Sequence, residues 1–530
     1  PSLFLNYHGH RDSTYCNKFF VSLVVVGVFG LLRHLYVMLV SNPSKIRRSL
    51  KKQGIGGPKP KFLLGNLLDI KKMNNAVVKD SNSTEPPVLH NCGALLLPFL
   101  DTWKQQFGDL FRFALGNTQI LLVNQYDVLK EITTCTSLDF GKPTYLARDR
   151  GAILGNGIIT SNGQFWAQQR KLIAPPLYMD KVKDMCNLIN DCAGTLLYSW
   201  NDIIKADGGI VSDIEIVPHM RSFSGDVISR ACFGSNFQQR EEIFSTLREL
   251  FELSSTRAFS LGIPALRYIP TKNNRKLRAL EKEIHELILR VVEKRNEVGY
   301  TKDLLQMLLE GGQNSGLRKD EIDQFIVTNC KNIYLAGYET TAVSATWALM
   351  LLAANQDWQD RVRAEAIEVC KGQPPDAVAI GKMKVLTMVI NESLRLYPPV
   401  IVMSREALND IKFGDIHLPK GVNVWAVVTT LHTDPENWGE DSYKFNPSRF
   451  ANGVTGACRL PHLYMPFGVG PRICLGQNLA LVELKILIAR ILSNYSVSLS
   501  PKYVHSPSLS LIIEPGKGMN LLVRKLQEHI

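Results

Sequence analysis

A chain of 530 residues holds one large domain or two to three ordinary ones. At 45% hydrophobic and 21% charged it is globular rather than disordered, and its ten cysteines, scattered without CxxC pairs, argue against a zinc site or a disulfide framework and fit a reducing compartment. The net charge of +12 points to an anionic membrane surface or an acidic protein partner; nucleic acid is the rival, but no basic-aromatic interleaving or DNA-binding motif supports it.

Residues 1–18 are polar and are expected to be a lumenal N-terminus. No methionine stands at position 1, the mark of a truncated start or a gene-model artefact. From Phe19 to Val40 the chain is apolar, and this stretch of 19–40 has the length of one membrane span, about 20 residues. Arg33 and His34 interrupt it and must snorkel. A cleaved signal peptide is the alternative, but its apolar core is shorter and is followed by a small-residue cleavage site. Here Lys45, Arg47, Arg48, Lys51 and Lys52 follow, and by the positive-inside rule they keep the rest of the chain cytosolic. Residues 41–60 thus form a basic segment and hinge that ends in the turn residues Gly54 to Pro60, leaving 61–530 as the main body.

Residues 72 to 92 read as a polar surface insertion, and the sequon Asn82-Ser83-Thr84 would be glycosylated only in a lumenal domain. Leu110 to Leu122 reads as a hairpin turned at Gly116-Asn117. Trp166 and Arg170 stand four apart on one helical face, a pairing that in isolation is ordinary packing. Residues 180 to 310 are mostly helical by period, broken near Gly262-Ile263-Pro264 and Pro270, with Lys272 to Lys294 expected as a solvated helix.

Asp320 to Asn355 is a long helical pattern with Ala336-Gly337-Tyr338-Glu339-Thr340-Thr341 near its middle. Glycine there costs about 1 kcal/mol against alanine. Thr340 can donate back to the Ala336 carbonyl and bend the ladder, so the stretch is expected to open a groove; a glycine tolerated at a helix–helix contact is the plainer alternative. Glu392 and Arg395 share a helical face in E-x-x-R, before Tyr397-Pro398-Pro399 ends the helix. Further on come Pro447-Ser448-Arg449-Phe450 and then Phe467-x-x-Gly470-x-Arg472-x-Cys474-x-Gly476, with an apolar helical pattern from Ala480. Glycines there allow φ > 0 and close approach to a flat ligand, while the helix mouth and Arg472 are expected to favour the Cys474 thiolate. Such a thiolate suits an axial ligand to haem iron.

The loop from Phe467 to Gly476 resembles the haem-binding loop of the cytochrome P-450 superfamily, and the other three motifs occur in that family's order. The similarity covers the chain from Gly57 onward. It implies a mainly α fold, the P-450 fold, with a smaller β-rich part behind an N-terminal transmembrane helix, and makes 61–530 a haem-thiolate catalytic domain. The implied cofactor is haem b (iron protoporphyrin IX), with Cys474 as the metal ligand. The resemblance further places Phe467, Arg472 and Gly476 in the cofactor-binding loop and assigns Trp166, Arg170 and Arg405 to the propionates. His432 is a weaker propionate candidate and equally a satisfied core histidine. Thr340 would hydrogen-bond dioxygen, the co-substrate, and Glu339 would relay protons. Glu392, Arg395 and Arg449 would form a structural triad.

The implied reaction is a monooxygenation with electrons from NADPH through NADPH–cytochrome P-450 reductase. The implied partners are this reductase, a small apolar substrate and membrane lipid, with no nucleic acid. The implied location is the endoplasmic reticulum membrane, single-pass. A haem-thiolate isomerase or dehydratase stays open, although the Glu339-Thr340 pair argues against it, and so does a non-enzymatic haem scaffold. Leu335 to Cys370, Ser404 to Val424 and Phe450 to Pro466 look closest to plant members that oxidise gibberellins; cytokinins, brassinosteroids and other terpenoids remain alternatives.

Overall fold

In the computed structural model, which describes residues 6–78, 89–234, 240–255, 269–298, 303–314, 316 and 318–527, the apolar stretch lies within a helix, Asn6–Tyr36. That helix runs through a π turn, Val37–Ser41, into a second helix, Asn42–Lys52. Its apolar side chains find no core, and Phe19, Phe20, Val26 and Phe29 are 66–69% exposed. Among the described helices it is the one long and apolar enough to cross a membrane.

Helical structure does not end with the apolar stretch at Val40. Pro43 falls in the first turn of the second helix, where a missing N–H leaves no bond unmade, and the helix continues through the basic residues. The hinge is also docked on the main body. Leu50 and Ile55 are buried, Arg47 donates to Gln119 Oε1 at 3.3 Å, and Arg112 N donates to Gly56 O at 2.9 Å. Gly57 makes that approach possible: at φ +153° a Cβ would lie 1.8 Å from the Arg112 carbonyl oxygen.

The hairpin forms as expected, Leu110–Leu115 antiparallel to Thr118–Val123, with Gly116 at φ +61° in its turn. It is the edge of a five-stranded sheet that continues through Asn423–Val427, Val402–Ala407 and Phe140–Gly141. Within the mostly helical stretch 180–310, Val211–Glu215 is a strand, pairing with Asn520–Lys525 beside Tyr495–Leu499. Its partner lies some 300 residues away, beyond any local pattern. The helix Leu67–Val78 occupies the start of the polar 72–92 segment. The sequon at Asn82 and the break at Gly262–Pro264 lie outside the described residues.

Helices form the rest of the body. The long helix Lys319–Ala354 lies within one residue of its expected bounds and is buried along most of its length. Ile216–Phe233 packs along it, and Gln477–Asn494 crosses it after the cysteine loop. Lys272–Val298 is not a wholly solvated helix, because Ile284, Leu287, Ile288 and Val291 bury one face. The fold is mainly helical with small sheets, as expected.

Candidate active site

Cys474 sits in a tight loop between the 3-10 turn Gly470–Arg472 and the helix Gln477–Asn494. Its N–H donates to Phe467 O at 2.8 Å, which closes the loop on itself. Gly468 and Gly470 have φ of +71° and +67°, and a Cβ on Gly470 would lie 2.4 Å from Thr133 O, so both need glycine. Gly476 does not follow the expectation of a positive φ: it stands at −87° as the helix N-cap. A Cβ there would meet nothing within 4 Å, so the glycine keeps the helix mouth clear.

The Cys474 side chain is accessible, yet protein surrounds it closely enough that desolvation is the largest influence on its thiol and raises its pKa. The bond from the Gly476 N–H, Arg170 and Lys142 pull the other way but do not win. The expected thiolate is therefore not favoured by the protein alone. A coordinating metal cation supplies the missing charge and deprotonates a thiol outright.

Cations gather around this loop. Arg170, on the helix Gly163–Ile173, donates to Ile473 O at 2.8 Å, and Arg472 donates to Ser161 O at 2.9 Å and to Asn162 Oδ1 at 3.0 Å. The Arg472 guanidinium lies 3.7 Å from the centroid of the Trp166 ring, a cation–π contact that fixes its plane. Arg405, 7% exposed on the strand Val402–Ala407, donates only to the Ser404 carbonyl among the described residues. Lys142 completes the group and had no signal in the sequence, because it is a single lysine between a two-residue strand and a proline.

No carboxylate among the described residues pairs with Lys142, Arg170, Arg405 or Arg472. Burial, with repulsion from Arg405 and Arg472, brings Lys142 down to about 7. Burial, with repulsion from Arg405 and Arg170, brings Arg472 down to about 9, and burial lowers Arg405 to about 10. Four cations held together without an anion fit a ligand carrying two carboxylates, and the clear space at Gly476 beside a metal-ready sulfur fits a flat metal-bearing ring. The residues present therefore fit haem.

Thr340 and Glu339 stand on a separate element, and among the described residues no hydrogen bond or ion pair joins them directly to the cysteine loop. Thr340 Oγ1 donates to Ala336 O at 2.5 Å, as expected, and Ala336 is exposed in the middle of a mostly buried helix. Gly337 opens no groove. A Cβ on it would lie 2.7 Å from Ile228, so it is the glycine of a helix–helix contact, with Gly225 answering it by making room for Phe244 and Tyr338. Glu339 is 3% exposed and 3.2 Å from Arg221, a residue whose place among buried side chains on Ile216–Phe233 was its one sequence signal.

Glu392 and Arg395 are both fully buried, and Arg449 Nε approaches Glu392 at 3.6 Å while its NH2 pairs with Asp441 at 2.7 Å. The three residues meet, as expected of an interlocked core. His432 is the satisfied core histidine of the two alternatives: its Nε2 accepts from Met465 N at 2.9 Å and its Nδ1 lies 3.2 Å from Arg395 O. It ties that core to the segment entering the cysteine loop.

The chain matches the model of the family Cytochrome P450 over residues 92–522. It is 44% identical over 503 residues to cytochrome P450 714C2 of Oryza sativa subsp. japonica, covering 94% of this chain and 96% of the relative. Identity is 43% to cytochrome P450 714B2 of the same plant, over 96% of this chain and 97% of the relative. Against cytochrome P450 714A2 of Arabidopsis thaliana it is 38%, over 94% and 97%. Similarity of that depth and extent takes in every element that carries the site, and the chain accordingly belongs to the cytochrome P450 family, as a monooxygenase whose family implies a haem-thiolate cofactor.

Proposed function

We propose that this monooxygenase hydroxylates or epoxidises the skeleton of a gibberellin or related diterpenoid, inactivating or redirecting the hormone. Cys474 would hold the iron of haem b through its sulfur, and Arg170, Arg405, Arg472 and Trp166, joined by Lys142, would hold its propionates. The observation that carries this placement is the cluster of four cations without a carboxylate around Cys474. Bound haem supplies one-electron and dioxygen chemistry, with the thiolate pushing electron density towards O–O cleavage.

The chain's own residues do the rest. Thr340 presents a hydroxyl beside the exposed Ala336; its one proton goes to Ala336 O at 2.5 Å, which leaves its lone pairs to accept a hydrogen bond, and it must give up that bond to donate to dioxygen. Burial raises the Glu339 pKa, so its carboxyl can hold a proton one residue away. Glu392, Arg395 and Arg449 keep the floor of the loop rigid.

Electrons come from NADPH through NADPH–cytochrome P-450 reductase. Residues 1–18 are lumenal, 19–40 cross the endoplasmic reticulum membrane, 41–60 join the anchor to the body, and 61–530 work in the cytosol. The exposed apolar helix and the basic residues that follow it support this topology.

The substrate reading is supported by the resemblance of residues 335–370, 404–424 and 450–466 to plant P-450s that oxidise gibberellins. A rigid apolar acid also suits a mostly apolar pocket with one or two placed polar groups. Microsomes containing the protein and a reductase are incubated with several gibberellins, ent-kaurenoic acid, cytokinins and a brassinosteroid. NADPH-dependent oxygenated products from a gibberellin are expected. Turnover of a cytokinin or the brassinosteroid alone, with every gibberellin and ent-kaurenoic acid untouched, discards the substrate and leaves the monooxygenase.

A further inference from the structure

Arg221 lies between two carboxylates that come from distant parts of the chain. Its NH2 is 3.2 Å from Glu339 Oε2 on the long helix and 2.9 Å from Glu514 Oε2 on the strand Ile513–Pro515. The three side chains form a gradient of access: Glu339 is 5% exposed, Glu514 27% and Arg221 29%. One inner carboxylate and one outer carboxylate share a single guanidinium.

We propose that Arg221 and Glu514 are positioning residues that set the charge of Glu339, with Arg221 a switch shared between a buried acid and its solvent-side competitor.

Charge counting gives the physical reason. Two carboxylates share the one guanidinium that touches both, so neither has it as a full counter-ion in the way of a simple ion pair. The guanidinium keeps its own protons, so it moves charge by changing partner and not by acting as a base. When Arg221 leans on Glu514, Glu339 loses its counter-ion in a desolvated place and favours the neutral form. Where Glu514 carries no charge, as in Glu514→Gln, Arg221 is left to Glu339 and stabilises its anion. The outer acid thereby decides when the inner one holds a proton.

The surroundings are consistent with this. Burial is the largest influence on Glu339 and raises its pKa; Arg221 and Arg248 lower it, and Glu514 raises it further. For Arg221 burial opposes the charge, but Glu339, Tyr338 and Glu514 together hold its pKa above the ordinary value. The other groups facing the cluster are phenols and one more cation. Tyr338 and Tyr334 are stacked with centroids 5.4 Å apart, and Arg248 lies 5.8 Å from the Tyr338 ring. Both phenols are pushed upward by burial first.

The inference rests on the proposed proton-handling role of Glu339, and its test separates the two. Infrared difference spectra of the ferric holoenzyme are recorded as pH is stepped, with the Glu339 carboxyl band identified by its loss in Glu339→Gln. Glu514→Gln is expected to lower the midpoint of that band, because Arg221 then serves Glu339 alone. Arg221→Gln is expected to raise it by about 1–3 pH units, and Arg221→Lys to bring it part of the way back. An unmoved midpoint in Glu514→Gln overturns the inference. Product formed per NADPH is measured on the same proteins. If the midpoints shift as expected while Glu339→Gln keeps wild-type coupling, the switch stands and the relay role of Glu339 falls.

Discussion

Glu392 grips Arg395 through two hydrogen bonds, of 2.6 and 2.8 Å, and neither side chain reaches solvent. Arg395 also donates to the carbonyls of His432, Ser442 and Lys444, so one guanidinium gathers two further segments of backbone. Removing the carboxylate leaves a buried charge without its counter-ion, at a cost of about 3–5 kcal/mol. That is comparable to the whole stability of many domains. Glu392→Ala is therefore expected to give little folded holoprotein, and Glu392→Gln somewhat more. Haem content per milligram after purification checks this; normal incorporation in Glu392→Ala would mean the pair does not hold the core.

Three histidines make the fold sensitive to acid. Burial is the main reason that His90 and His432 are each lowered to about 3 and His505 to about 4. Unfolded, each titrates near about 6.5. Between those values the unfolded chain binds more protons, so stability is full above about pH 6.5 and falls as pH drops towards the folded values. Each group contributes at most about 1.4 kcal/mol per pH unit. His505 bonds Tyr397 and Tyr503, at 3.4 and 2.6 Å, away from the haem loop. His505→Gln should therefore flatten the decline without changing the haem spectrum. Urea midpoints at neutral and mildly acidic pH check it; parallel declines in variant and parent would rule the residue out.

Lys142 separates the needs of the protein from those of its cofactor. Alone, its ammonium is crowded by Arg405 and Arg472 and lies in a desolvated place. With two propionates it gains a charge-assisted bond of about 1.5–3 kcal/mol. Lys142→Met should accordingly speed haem loss to a haem acceptor while raising the thermal stability of the haem-free chain. Loss of stability in both forms would show that the lysine is structural.

The features readable from sequence were those whose signal is local. The bounds of Lys319–Ala354 follow from a helical period, the Leu110–Val123 hairpin from alternation around Gly116, and the Glu392–Arg395 pair from i, i+3 spacing. What was hidden depends on partners far along the chain. Val211–Glu215 sits in a stretch that reads as mostly helical until Asn520–Lys525 pairs with it, and Gly337 reads as a weak point until Ile228 is set against it. Around the Cys474 thiol the helix mouth and Arg472 are visible in sequence, whereas the surrounding protein that raises its pKa, and the opposing pull of Arg170 and Lys142, are not. Lys142 and Glu514 carry no periodic signal, and only the folded chain brings them to the site.

The central claim is that Cys474 holds the haem iron as a thiolate. The most direct test is the ferrous carbon monoxide spectrum of the purified holoprotein beside Cys474→Ser and Cys474→Ala. The account predicts a strongly red-shifted Soret band in the parent, weak haem binding without that shift in the serine variant, and neither haem signature nor turnover in the alanine variant. A red-shifted carbonyl band that survives in Cys474→Ala would contradict it.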